Sequence, residues 1–230
     1  MSAYKSVATL LVALSMVLMA GCQTKLAVSA PTFDSPVIRP AVRTVSPGPG
    51  VVGSIVPRPP GITVVQGPLA GKALTPRVSP RPWKYIVIHH SDTSYGGAAR
   101  FDAAHRSKGW AMLGYDFVIG NGTDTRNGLI EVGPRWPTQM PGAHTGTPDH
   151  RFNDYGIGIC LVGNFEERRP TAAQMDSLAR LVAYLQKTYG ISSQNILGHR
   201  DCKPTRCPGR YMNIANVRQM AQRYLQSGAY

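Results

Sequence analysis

Twelve of the chain's 19 prolines fall between Pro31 and Pro82. Proline fixes φ at about −65° and removes a backbone donor, so a stretch this dense cannot run as a helix or fill the middle of a sheet. Residues 23–82, with Gly, Ser, Val and Arg between the prolines, therefore read as a disordered, partly polyproline-like linker. That leaves residues 83–230 as the one folded domain, long enough to bury a single core.

Within that domain the apolar pattern alternates between strand and helix. Tyr85-Ile86-Val87-Ile88 is β-branched and aromatic, a buried strand that delivers His89 at its end. Ala98–Lys108 reads as a helix stopped by Gly109. Tyr115–Ile119 and Leu129–Val132 are further strands, and Ile157–Val162, apolar on both faces, is a central one. Thr171-Ala172-Ala173-Gln174 is a capping box. It opens a helix with Met175, Leu178, Leu181, Val182 and Leu185 on one face, closed by Gly190. Ile196-Leu197 is a short strand leading into His199, and a last helix starts near Ile214. The alternation implies an α/β fold with a central mixed β-sheet flanked by helices.

Residues 1–21 read as an export signal, with Lys5 as the positive region and Val7–Met19 as an apolar stretch too short to span a bilayer. Met19-Ala20-Gly21-Cys22 resembles the lipobox of bacterial lipoproteins, with Met19 where Leu is commoner. It implies lipidation of Cys22 and a membrane anchor through buried acyl methylenes. Gln23 follows in place of an Asp retention signal, which points to an outer-membrane lipoprotein facing the periplasm. The expected organisation is thus signal (1–21), lipidated Cys22 with linker (22–82) and a folded domain (83–230).

Lys and Arg number 25 against 12 Asp and Glu, a net charge of +13. An excess this large favours an anionic partner: nucleic acid, a membrane surface or a cell wall. Export and the absence of any nucleic-acid signature motif exclude the first.

The stretch Gly198–Gly209 carries the chemistry. His199 and Cys207 stand eight positions apart in a loop punctuated by Pro204, Pro208 and Gly209. Imidazole and thiolate are zinc's preferred ligands, and catalytic zinc keeps three protein ligands with one open position. His89 or His90 is the obvious third donor. Cys202 competes with Cys207, either as the ligand or as its disulfide partner in an oxidising compartment. Cys160, in an apolar strand, reads as a small buried hydrophobe.

A series of motifs then follows in order: Ile86-Val87-Ile88-His89-His90-Ser91, Gly109-Trp110, Gly114-Tyr115-Asp116-Phe117-Val118-Ile119, Gly142-Ala143-His144, Gly156 to Phe165, and Gly198-His199-Arg200-Asp201 through Cys207-Pro208-Gly209. Over residues 83–225 the chain resembles the type-2 N-acetylmuramoyl-L-alanine amidases, which include phage amidase lysozymes and animal peptidoglycan-recognition proteins. The resemblance implies a zinc hydrolase that cuts the amide joining muramic acid to L-alanine in peptidoglycan. It implies His89, His199 and Cys207 as metal ligands, Tyr115 beside the reacting water as its orienter or base, and Thr205 near the scissile carbonyl. The family also uses lysine at the Thr205 position, and this chain lacks it. His144, in a glycine-bounded loop, and Trp136, within Arg135-Trp136-Pro137, are expected to line the substrate groove, with loop packing the alternative for each. His90 is expected on the opposite strand face from His89, His105 on a helix surface or against Trp110, and His150 exposed. The partners expected are peptidoglycan and, through Cys22, a membrane, with the protein a monomer. A wall-binding module without activity is the competing class, and the intact ligand set argues against it.

Overall fold

The computed structural model describes residues 60–65, 69 and 74–230. The expected export signal, the Cys22 lipidation site and the linker up to Pro59 lie outside the described residues. Among the described residues, six strands form one sheet: β1 (Thr63–Val65), β2 (Tyr85–His90), β3 (Phe117–Ile119), β4 (Ile130–Val132), β5 (Gly156–Leu161) and β6 (Ile196–Gly198). Their order across the sheet is β1-β4-β3-β5-β2-β6. β3, β5, β2 and β6 run parallel, while β4 is antiparallel to β3 and β1 antiparallel to β4. The helices are α1 (Ala98–Ser107), α2 (Arg151–Asp154), α3 (Ala172–Tyr189), α4 (His199–Cys202) and α5 (Ile214–Ser227). The sheet is mixed and helix-flanked, as the sequence pattern implies.

Side-chain alternation sorts the two faces. Ile86, Ile88, Phe117, Ile119, Ile157, Ile159 and Leu161 pack with Leu178, Leu181, Val182 and Leu185 of α3 and with Val217 and Ala221 of α5. Val118, Cys160 and Val162 have the opposite parity and meet Ala98 and Phe101 of α1 together with Leu113. β2 and β5 are buried along nearly their whole length, which suits parallel strands covered on both sides. The capping box at Thr171 forms as expected: its hydroxyl accepts from Gln174 N–H at 3.0 Å, and Gln174 Oε1 accepts from Thr171 N–H at 3.2 Å. Gln174 is buried, and its Nε2 also donates to Ile119 O and Val162 O, fastening the start of α3 to the ends of two strands.

One boundary differs from the expectation. The folded unit does not start at Trp83, because residues counted as linker contribute to the sheet and the core. Thr63–Val65 pair with Ile130–Val132 at the sheet edge. Leu69 and Leu74 are each 1 % exposed and belong to the main core. The physical reason is that proline bars helices and central strands but tolerates a short edge strand. Two leucines placed between prolines are worth about 1.5–3 kcal/mol each when buried, enough to hold such a segment down.

Leu74 tests this. Leu74→Ala is expected to destabilise the protein by about 2–5 kcal/mol, read from the urea midpoint. A change within about 0.5 kcal/mol is the surface-substitution range and means that the segment adds nothing to the core.

Candidate metal centre

His89 is the fifth residue of β2, whose parity turns Ile86 and Ile88 to the α3 face and His89 to the other, where its register partner is Cys160. β6 lies beside β2, and its last residue, Gly198, caps α4, so His199 emerges at the same end of the sheet. Cys207 returns in the loop after α4. One side-chain donor atom from each of His89, His199 and Cys207 lies within 4.8 Å of the others. Cys207 Sγ is 3.7 Å from His89 Nδ1, and the His89 and His199 rings are 4.5 Å apart between centroids. In a tetrahedral zinc site the N-to-S edge is about 3.6 Å, from bonds of about 2.05 and 2.3 Å. His199 Nε2 is buried with no hydrogen-bond partner among the described residues, an orphaned atom of the kind a ligand satisfies. The residues therefore fit a zinc ion.

The Cys207 loop is fixed from three sides. His90 N–H donates to Cys207 Sγ at 3.4 Å, and Arg200 N–H to Cys207 O at 2.8 Å. The Arg200 guanidinium reaches further, donating to Gly209 O at 3.0 Å and Met212 O at 2.8 Å. Gly209 has φ of +93°, and a Cβ there would overlap the Phe165 backbone, so the turn needs glycine. His90 faces away from the cluster, as expected, and its Nδ1 accepts from Phe165 N–H at 3.1 Å.

Burial sets the protonation states. It holds His89 well below the usual imidazole range, helped by His144, His199 and His90, and lowers His199 to about 4. Burial also pushes the Cys207 thiol up to about 12, against the His90 N–H that favours thiolate. The histidines are thus neutral and ready to ligate, while the thiol keeps its proton until a cation arrives.

Tyr115, just ahead of β3, has its ring 5.2 Å from that of His89. Burial pushes its hydroxyl well above the ordinary phenol value, and Cys160 and Cys207 add to the shift. Tyr115 therefore holds its proton in the metal-free protein. Thr205 is exposed on the rim, and its Oγ1 accepts from Cys207 N–H at 3.2 Å. His89, Tyr115, His199, Thr205 and Cys207 line one open cleft of about 710 Å³, with Asp92, Glu166, Arg206 and Arg210 as its charged rim.

One expectation is corrected. Trp136 is fully buried, stacks on Trp83 and donates its Nε1–H to Leu74 O at 2.9 Å, so it is a core residue and lines no groove. His144 lines the cleft beside His89, largely buried and with both ring nitrogens engaged by protein atoms. Cys160, Cys202 and Cys207 are free thiols. Cys202 turns its Sγ to Gly198 O at 3.7 Å, outside the donor cluster. His105 packs on Trp110 with rings 4.5 Å apart, and His150 is exposed, both as expected. The sequence reading missed that Cys160 meets Tyr115 on this face; its parity in β5, shared with Gly158, was the available signal.

Residues 79–210 match the family model described as N-acetylmuramoyl-L-alanine amidase. The chain belongs to this family. Among curated relatives in the amidase family, it is similar to peptidoglycan-recognition protein LB of Drosophila melanogaster, 30% identical over 139 residues. That match covers 56% of this chain and 55% of the relative, so the chain spans about half the relative's length. Peptidoglycan-recognition protein SC2 of Drosophila simulans is 31% identical over 161 residues, 65% of this chain and 82% of its own. Among solved structures, the N-acetylmuramoyl-L-alanine amidase LysC from Clostridium intestinale URNW superposes with a TM-score of 0.53 at 28% identity, covering 67% of this chain and 95% of that one.

The buried histidines predict the acid behaviour of the metal-free protein. Burial first, then Lys108, brings His105 to about 4, and His144 and His199 are also near 4. Each lies below its unfolded value, so the unfolded chain binds more protons between about 6.5 and 4 and stability is lost as pH falls through that window. Asp116, raised by burial to about 7, acts in the opposite sense over the same range, one carboxylate against these three imidazoles and the likewise lowered His89 and His90. Urea unfolding at pH 7 and pH 4.5 is expected to show a net loss at the lower pH. His105→Gln is expected to reduce that loss, and an unchanged pH slope in this variant contradicts the assignment.

Proposed function

We propose that this chain is a zinc-dependent N-acetylmuramoyl-L-alanine amidase, hydrolysing the amide between the muramic acid lactyl group and L-alanine in peptidoglycan. The observation that carries this reading is the convergence of the His89, His199 and Cys207 donor atoms within 4.8 Å in an open cleft. Membership of the amidase family supports it, as does similarity to an endolysin of Klebsiella phage KP32, 30% identical over 131 residues.

Two neutral imidazoles and one thiolate would hold Zn²⁺ as a net positive centre with a position left open. Bound there, zinc polarises a carbonyl and lowers the pKa of water from 15.7 toward about 7. The remaining work falls to the chain's own groups. Hydrolysis adds hydroxide to the carbonyl carbon and a proton to the departing nitrogen. Tyr115 Oη, which keeps its proton, orients the attacking water, gives its proton to the L-alanine nitrogen and recovers one from that water. The Thr205 hydroxyl, its oxygen already accepting from Cys207 N–H, donates to the scissile carbonyl oxygen.

We read Cys22 as the lipidated first residue of the mature protein, an outer-membrane anchor facing the periplasm, with the proline-rich segment as the tether of a monomeric enzyme. The net charge of +13 suits an anionic wall polymer.

Purified sacculi test the chemistry. The protein is expected to release free stem peptides, and a chelator to stop the release. His199→Ala and Cys207→Ala are expected to lose both metal and activity, with Cys202→Ala retaining both; Tyr115→Phe should keep the metal and lose about 10²–10⁴ in rate. Full activity in Cys207→Ala overturns the ligand assignment, and sacculi binding without release in the wild type favours a recognition module instead. Zinc uptake at pH 7 is expected to liberate one proton from Cys207 and up to about half of another from water on the metal, and none from the already neutral histidines. Comparing uptake heats in buffers of different ionisation enthalpy measures that release.

A further inference from the structure

His144 has no place in the ligand set, yet it is the best-fixed polar side chain near it. Its ring lies over β5, where Gly158 leaves the space: a Cβ at Gly158 would overlap the imidazole, and one at Gly142 would crowd it from the other side. His144 Nε2 is 3.2 Å from Gly156 O. His144 Nδ1 is 3.1 Å from His89 Nε2 and 2.9 Å from Thr145 Oγ1. Thr145 Oγ1 is in turn 3.4 Å from His89 Nε2, and its residue is fully buried.

These contacts leave one consistent arrangement of protons. A carbonyl oxygen only accepts, so the nitrogen facing Gly156 O must carry the ring proton of a neutral His144. His144 Nδ1 is then a bare acceptor. His89 Nε2 sits against that lone pair, and two bare nitrogens at this distance would repel, so His89 Nε2 carries its proton. The remaining nitrogen, His89 Nδ1, is bare and is the one that faces Cys207 Sγ.

We propose that the Gly156 carbonyl, His144 and His89 form a tautomer relay, making His144 a positioning residue that presents His89 Nδ1 as the free donor to the metal. The relay rests on the reading of His89 as a ligand. It gives His144 a role beyond lining the cleft, and it gives the glycine at 158 a function: any side chain there evicts the ring that sets the proton. Thr145, whose backbone N–H and that of His144 both donate to Asn153 Oδ1, keeps the loop in place. Partners of this kind, one step out from a metal ligand, change metal affinity by about 10–100-fold when removed.

The test uses the full chain and zinc alone. His144→Phe is expected to weaken zinc about 10–100-fold in competition with a chelator, with KM for a soluble muramyl peptide unchanged at saturating zinc. His144→Gln offers an amide oxygen to His89 and an amide N–H to Gly156 O, and is expected to recover zinc affinity to within a few-fold. Wild-type affinity in His144→Phe, or a raised KM with zinc affinity intact, overturns the relay. If the Phe variant does not fold, long-range proton–nitrogen spectra of the metal-free wild type decide the matter. A protonated Nε2 on His89 supports the relay, and a protonated Nδ1 overturns it. Those spectra need no substrate, so their outcome is independent of whether peptidoglycan is cleaved.

Discussion

The parallel pairing of β2 with β5 and β6 is the constraint from which the site follows. Parallel neighbours bring the C-terminal ends of three strands to one edge of the sheet, and chemistry collects there because the chain must leave each strand at that edge. His89 stands one residue before the end of β2, Gly198 ends β6 one residue before His199, and Leu161 ends β5 just ahead of the Gly163–Phe165 turn that backs the Cys207 loop. The ligands are distant in sequence because their strands are. The register that sets Ile88 against Ile159 and Gly198 places the two histidines, and the loop held by His90, Arg200 and Gly209 brings Cys207 back to them.

Desolvation does the next share of the work. The same burial that keeps two imidazoles neutral also keeps Cys207 and Tyr115 protonated. A buried sheet face thus supplies bare nitrogen donors, a thiol that yields its proton to an arriving cation, and a phenol that keeps its proton in the metal-free protein. A solvent-exposed version of the same groups would titrate near their ordinary values, leaving the imidazoles partly charged at pH 7 and all these states less firmly held.

Much of this was legible in the residues. The buried strands around Ile86–Ile88 and Ile157–Leu161, the capping box at Thr171 and the glycine stop at 190 are local signals with local causes, and they fell where periodicity put them. The three donors were legible through the ordered motifs. Three things were not. Thr63–Val65, Leu69 and Leu74 are too short or too isolated to show periodicity, and the prolines around them argue for linker. Trp136 sits in a loop-like Arg-Trp-Pro context, and only the tertiary packing of Trp83 and Leu74 reveals it as core. The placement of His144 depends on an empty volume above Gly158, and a missing side chain on another strand leaves no pattern in the loop that fills it.

The strand order has a mechanical reading as well. Whatever tension reaches the domain along the chain upstream of Pro60 is delivered to β1, which is joined to its neighbour over only three residues, Thr63–Val65. β4, β3 and β5 stand between that edge and β2, which carries His89. A tug strong enough to peel the first strand would cost the leucines their shelter and leave the grip of β2 on β5 and β6 untouched. The edge acts as a shear-weak fuse, set as far across the sheet from the ligands as the topology allows.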